Sequence, residues 1–169
     1  MSLVLLVVTI IAVAFGFTAF FGAPYVPSRK EELRKVFKNL YPLSKNDLLI
    51  DLGSGDGKVL RIATEFGARA AGVELSPILA LYSKIRLRNN RAAQVFCRSY
   101  FHYDFPAETT VVYVFSDGRD IAHIVRYIEV QAARIGHSIF LISHAFEIEG
   151  YKPQKRYRAY YLYKIKEAK

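Results

Sequence analysis

The sequence is short of the residues that most small-molecule chemistries need. It holds one cysteine, Cys97, and no tryptophan. A lone cysteine excludes an internal disulfide and fits a reducing compartment. The four histidines, His102, His123, His137 and His144, are scattered, and no Cys/His grouping has metal-ligand spacing. No G-x-S-x-G stretch is present, so the nucleophile elbow of a Ser-His-Asp hydrolase is excluded. G-x-G-x-x-G, the dinucleotide fingerprint, is missing as well. Internal repeats and low-complexity segments are absent, apart from one apolar run. Acidic residues are few: 15 Asp and Glu against 24 Lys and Arg leave a formal charge of +9. A basic excess suits an anionic lipid surface at about 1 kcal/mol per nearby charge. It makes a nucleic-acid partner possible, though a less favoured one.

Residues 3–21 carry no charge at all. About 19 apolar residues at 1.5 Å rise cover roughly the 30 Å of a hydrocarbon core. A signal peptide would need a basic leader, and the only plausible cut, after Ala23, is followed by Pro24. The expectation is therefore a transmembrane helix within residues 1–23, followed by one globular domain, 24–169. Arg29, Lys30, Arg34, Lys35 and Lys38 come just after the run, and nothing basic precedes it. The positive-inside rule then predicts a single-pass membrane protein with its domain on the cytoplasmic side, or the organellar equivalent. Pro24 and Pro27 stiffen the connector. Ser28 is placed to cap a helix whose apolar face is Leu33, Val36, Phe37 and Leu40.

The domain is organised around residues 48–60, LLIDLGSGDGKVL. An apolar run reaches one acid, Asp51; glycines follow at 53, 55 and 57; a helical pattern starts at once. That is a buried strand, a turn permitting close approach, and a helix N-terminus. A second strand, 69–73, leads to Glu74, and an acid at that tip is placed to hold ribose hydroxyls. Ser76-Pro77 opens a helix with Ile78, Leu81, Tyr82 and Ile85 at helical spacing and Lys84, Arg86 and Arg88 outside. Strands are expected at 93–97, 110–115 and 137–143, with a helix from Ile121 to Ile135 closed by Gly136. The tail, 145–148 and 157–165, reads as a final antiparallel pair. Alternating strands and helices predict a doubly wound, Rossmann-like α/β sheet.

Two carboxylates beside the turn, Asp51 and Asp56, repel a pyrophosphate and suit a cationic amino-acid group. The motif resembles that of class I S-adenosylmethionine-dependent methyltransferases, E/D-x-G-x-G-x-G. The resemblance implies S-adenosyl-L-methionine as cofactor and no metal, with Asp51 near its methionine moiety and Glu74 on its ribose. It implies a cofactor site of Asp51, Gly53, Ser54, Gly55, Gly57, Glu74, Leu75, Ser99, Tyr100 and Phe115. Ser99 stands where many such enzymes place an acid that meets the adenine amino group; Tyr100 and Phe101 are placed to flank the purine. Strand four ends V-F-S-D-G, without the D/N/S-P-P-Y motif usual for methylation of adenine or glutamine nitrogen, which argues against nucleic acid.

Read together, the apolar run, P-Y-V-P-S, D-L-G-S-G-D-G-K, G-V-E-L-S, V-x-V-F and S-x-x-F-x-I-x-G-Y-K-P resemble the membrane-anchored protein-lysine methyltransferases. In mitochondria these act on the ADP/ATP translocase and the c subunit of ATP synthase, so the matrix side is the organellar placement implied. The sequence departs from that pattern at Ser76, Ser99 and 116–118. The resemblance implies N-methylation of lysine on a membrane protein. The alternatives are a lipid or hydrophobic small molecule as substrate, or a non-catalytic, membrane-tethered S-adenosylmethionine-binding module. Asp117 is the first candidate to orient the incoming amine, with His144 and Tyr25 behind it.

Overall fold

The computed structural model describes residues 30–116 and 120–166, together with Ser2, Leu5, Leu6, Val8 and Thr9. Tyr25 and Asp117, and most of the apolar run, lie outside the described residues. The expected single-pass placement, with the domain on the cytoplasmic or matrix side, is overturned. Among the described residues no helix is long and apolar enough to cross a membrane.

Helix α1 (Lys30–Lys35) continues as a π-helical turn, Val36–Leu40. Then come β1 (Leu48–Leu52), α2 (Lys58–Glu65), β2 (Arg69–Glu74), α3 (Pro77–Leu87) and β3 (Ala93–Cys97). They are followed by β4 (Val111–Phe115), α4 (Ile121–Ile135), β5 (Ile139–His144), β6 (Lys155–Tyr157) and β7 (Tyr160–Ile165). One seven-stranded sheet has the order β3-β2-β1-β4-β5-β7-β6. The first five strands are parallel, and β7 inserts antiparallel between β5 and β6. Strand order reverses between β1 and β4, which opens the crevice where such sheets take ligands.

Side-chain alternation splits the core into two layers. Leu48, Ile50 and Leu52 of β1 join Val112, Val114 and the inner face of α4, Ile121, Ile124, Val125 and Ile128. Leu49 faces the other way, onto Leu33, Val36, Phe37 and Leu40 of the first helical segment and Leu60 and Ile62 of α2. Asp51, two residues beyond Leu49, thus shares the α1/α2 side of the sheet. Between β3 and β4, residues 98–110 hold only a 3-10 turn, Tyr100–His102. Rings cover that part of the sheet: Phe96 against Tyr103 at 5.0 Å, Tyr100 against Phe101 at 4.5 Å, and Phe101 and Phe105 edge-on to Tyr127 at 5.6 and 5.5 Å.

Two expectations are corrected. The apolar stripe of α3 faces outward: Ile78, Leu81, Tyr82 and Ile85 are 53–60% exposed, while Ala80, Ser83 and Leu87 are buried. The reason is steric. A Cβ on Gly57 would lie 2.2 Å from Ser83 Oγ and 2.9 Å from Leu87 Cδ1, so α3 must turn small residues toward the glycine loop. In the tail, 155–157 and not 145–148 pairs with β7. Residues 145–148 instead loop over the sheet, where Ile148 is buried and its N–H donates to Tyr163 Oη at 3.0 Å.

At the amino ends of the central strands Asp47 joins β1 to β4. Its Oδ1 accepts from Tyr41 Oη and Thr110 Oγ1, both at 2.8 Å, and its Oδ2 from Ser44 N–H and Oγ, also at 2.8 Å. Burial pushes this carboxyl up, but the bonds from Thr110, Ser44 and Tyr41 outweigh it and hold the pKa below the ordinary value. A depressed carboxyl stabilises the fold above its unfolded pKa, near 3.9, and that gain vanishes as pH falls through the lower folded value. Asp47→Ala is expected to cost about 2–3 kcal/mol in urea unfolding at pH 7, with the difference from wild type shrinking below about pH 4.

Candidate active site

The turn from β1 into α2 has three left-handed residues, Gly53, Gly55 and Gly57. Gly57 is required twice, by its φ of +71° and by Ser83 beneath it. Gly53, at φ +85°, has no atom within 4 Å of where a Cβ would sit, so the backbone there faces open space. The turn is clamped to β2: the N–H groups of Gly53 and Ser54 donate to Val73 O at 2.8 and 3.1 Å. Gly72 allows this closeness, because a Cβ there would meet Ser54 Cβ at 2.6 Å.

Glu74 is the second clamp. Its Oε2 accepts from Gly55 N–H and its Oε1 from Ser76 N–H, each at 2.8 Å. One buried carboxylate thus holds both the glycine turn and the start of α3, whose N-cap is Ser76. Each oxygen keeps a second lone pair for a ligand hydroxyl.

Asp51 is 2% exposed, and its Oδ2 has no hydrogen-bond partner among the described residues. Burial, then the charges of Glu74 and Asp56, push its carboxyl well above the usual range. A buried, unpartnered acid at the mouth of an open glycine turn asks for a cation. Asp56 does not share that role. Its Oδ2 pairs with Arg86 at 2.5 Å and its Oδ1 accepts Lys58 N–H at 3.1 Å, so it braces the turn against α3.

The remaining predicted residues surround the crevice unevenly. Leu75 is exposed beside Glu74, Ser99 is half-buried ahead of the 3-10 turn, and Tyr100 packs against the α4-side core. Phe115 and His144 end β4 and β5 side by side, with ring centroids 5.0 Å apart. His144 draws in residues that sequence reasoning missed. Its Nδ1 lies 3.0 Å from Tyr113 Oη, and its ring stacks on Tyr160 at 4.1 Å and 8°. Tyr113 is in turn the β4 neighbour of Asp51. Glu32 of α1 acts on His144 through its charge and pairs with Arg158 of the β6–β7 turn. Alternation along β4 and β7 signals which face these tyrosines take; their meeting with His144 needed the reversed hairpin. Among the described residues, no group of His, Cys, Asp and Glu is arranged to hold a metal ion.

A solved RNA methyltransferase from Salinibacter ruber, bound to S-adenosyl-L-homocysteine, superposes on this geometry with a TM-score of 0.74 over 85% of this chain and 96% of its own, at 24% identity. The chain has the class I S-adenosylmethionine-dependent methyltransferase fold. No family model matches it. The methyltransferase fold is accompanied by sequence similarity to lysine methyltransferases. An ATP synthase c-subunit lysine N-methyltransferase from Xenopus laevis is 40% identical over 63 residues, 37% of this chain and 27% of the relative. The matched stretch is therefore about a quarter of that relative's length. A protein-lysine N-methyltransferase from Saccharolobus islandicus (strain REY15A) is 26% identical over 138 residues, 78% of this chain and 82% of its own.

Asp51 gives this site a pH signature. A raised carboxyl pKa means the folded chain keeps a proton that the unfolded chain has released. Stability therefore falls as pH climbs from about 3.9 toward the folded value. Asp51→Asn is expected to raise the stability of the unliganded protein by about 1–2 kcal/mol at pH 7. The same change should weaken S-adenosylmethionine binding by roughly 100-fold. Wild-type affinity should increase with pH across this window, with proton release on binding. Calorimetry in two buffers of different ionisation enthalpy measures both.

Proposed function

We propose that this protein is an S-adenosylmethionine-dependent protein-lysine N-methyltransferase. The observation that carries the reading is Asp51, a buried carboxylate without a partner beside an open glycine turn. The α-ammonium of the cofactor supplies the cation that Asp51 lacks, and Gly53 leaves room for it. Glu74 has lone pairs for the ribose hydroxyls. Leu75, Ser99 and Tyr100 would hold the adenine side, and Phe115 would line the crevice beside them. When bound, the cofactor supplies a sulfonium-activated methyl group, so this chain's tasks are alignment and presentation of a neutral amine. Removing the proton from a free lysine at pH 7 costs roughly 4–5 kcal/mol, given a reference pKa near 10.4. Asp117, His144 and Tyr25 are the candidates for that side of the site.

Lysine is favoured as acceptor because both relatives named above are lysine N-methyltransferases, and the Saccharolobus one extends over most of both chains. The rival substrate class is a lipid or hydrophobic small molecule. Incubation of the full chain with a cell extract and labelled S-adenosylmethionine separates them. The expected result is label in protein, recovered as methyl-lysine on hydrolysis. Label extracted into organic solvent would move the assignment to the rival class, label in RNA would discard both, and binding without transfer would leave only a cofactor-binding module. Asp51→Ala and Glu74→Ala are each expected to abolish cofactor binding at 100 µM, a loss of roughly 2–3 kcal/mol or more.

A further inference from the structure

The imidazole of His144 is held on three sides by groups from two strands. Tyr113 of β4 reaches its Nδ1 at 3.0 Å. Tyr160 of β7 lies flat against the ring, and Phe115 of β4 leans on it at 5.0 Å. From α1, Glu32 adds a negative charge, steadied by Arg158. The backbone next to the imidazole is also unusual: Ala145, the following residue, has φ +79°, and its N–H donates to Ala159 O at 2.7 Å. Arg158, on the turn that carries Glu32's partner, has φ +52°. Non-glycine residues in the left-handed region persist where surrounding contacts over-determine them, and such strain gathers at working sites. Both lie on the segments that bring His144 and Tyr160 together.

We propose that His144 is the proton acceptor for the substrate amine, that Tyr113 is a positioning residue fixing its tautomer, and that Glu32 stabilises the imidazolium. The inference rests on the lysine reading above. For this role the ring carries its hydrogen on Nδ1 and donates it to Tyr113 Oη, which makes Nε2 the accepting nitrogen. Nε2 takes a proton from the lysine ammonium, and the amine lone pair then attacks the sulfonium methyl. The C–S bond breaks with its electron pair going to sulfur, leaving a neutral thioether and a methylated ammonium. The proton on His144 leaves to solvent, so one proton is released per transfer.

Burial, only partly opposed by the charge of Glu32, holds His144 below the ordinary imidazole value. The ring is therefore neutral at pH 7. Among the described residues, the titratable and charged groups that face it are Tyr113 from β4, Tyr160 from β7, and Glu32 from α1 with its partner Arg158.

Two measurements on the full chain decide the matter. Long-range proton–nitrogen correlation spectra of 15N-histidine-labelled protein are expected to show His144 as the Nδ1–H tautomer, shifting to a mixture in Tyr113→Phe. A dominant Nε2–H tautomer in wild type would overturn the proposal. Methyl transfer from labelled S-adenosylmethionine to poly-L-lysine is expected to fall 100-fold or more in kcat for His144→Gln, with cofactor affinity unchanged. Glu32→Gln should move the acid limb of the kcat profile to lower pH, because loss of the carboxylate disfavours the imidazolium. An unmoved limb, or His144→Gln within threefold of wild type, would also overturn it. Wild type that binds the cofactor yet leaves poly-L-lysine and extract proteins unlabelled sinks the lysine reading, whereas the tautomer spectrum still judges Tyr113 and His144.

Discussion

Glu74 joins two parts of the site with one side chain. By accepting from Gly55 and Ser76, it ties the turn after β1 to the helix start after β2. Charge-assisted bonds from backbone N–H groups in a buried place are among the stronger ones available to a fold. Everything around them follows the closeness they enforce. Gly72 must lack a side chain so that Ser54 can settle on β2, and Gly57 must lack one so that Ser83 can pass beneath it. Ile78, Leu81, Tyr82 and Ile85 of α3 are consequently turned away from the sheet. On this side of the crevice the side chains of Ser83, Leu87, Ser54 and Leu60 close directly onto glycine backbone.

Opposite this clamp, Asp51 has the reverse character. Glu74 is satisfied inside the protein, while Asp51 is buried at the cost of a missing partner. The two acids are close neighbours, and the charge of Glu74 adds to the cost of ionising Asp51. A site built this way is unfavourable when empty and relaxes when a cation arrives. An acid buried in this way disfavours phosphate-rich ligands and ionises readily only beside a cation.

The sheet was legible because its signals are local. Apolar runs end at acids or glycines, Ser76-Pro77 starts a helix and Gly136 stops one, so each parallel strand falls within a residue or two of its expected place. The acid and glycine positions of the site were legible for the same reason. The errors came where a distant contact decides. Periodicity located a stripe on α3 but not its direction, which depends on Ser83 meeting Gly57. Asp56 read as a ligand-facing carboxylate because Arg86, thirty residues on, gives no local sign of reaching it. The tail was misread because Ile148 is apolar without being a strand residue, its N–H held by a tyrosine hydroxyl. Tyr113, Tyr160 and Glu32 escaped notice since β4, β7 and α1 meet at His144 only after the chain reverses.

The rings between β3 and β4 have a consequence for how this fold can change. Four aromatic side chains of the thirteen-residue connection, with Phe96 of β3 and Tyr127 of α4, do there what a helix does elsewhere over the sheet. Flat, interlocked rings tolerate few insertions, since each is a neighbour's packing surface. New recognition elements would therefore be grafted more readily at 145–154, where Tyr151 and Phe146 already lie at the surface. Divergence in what this small fold recognises is thus channelled toward the β5–β6 side, next to His144.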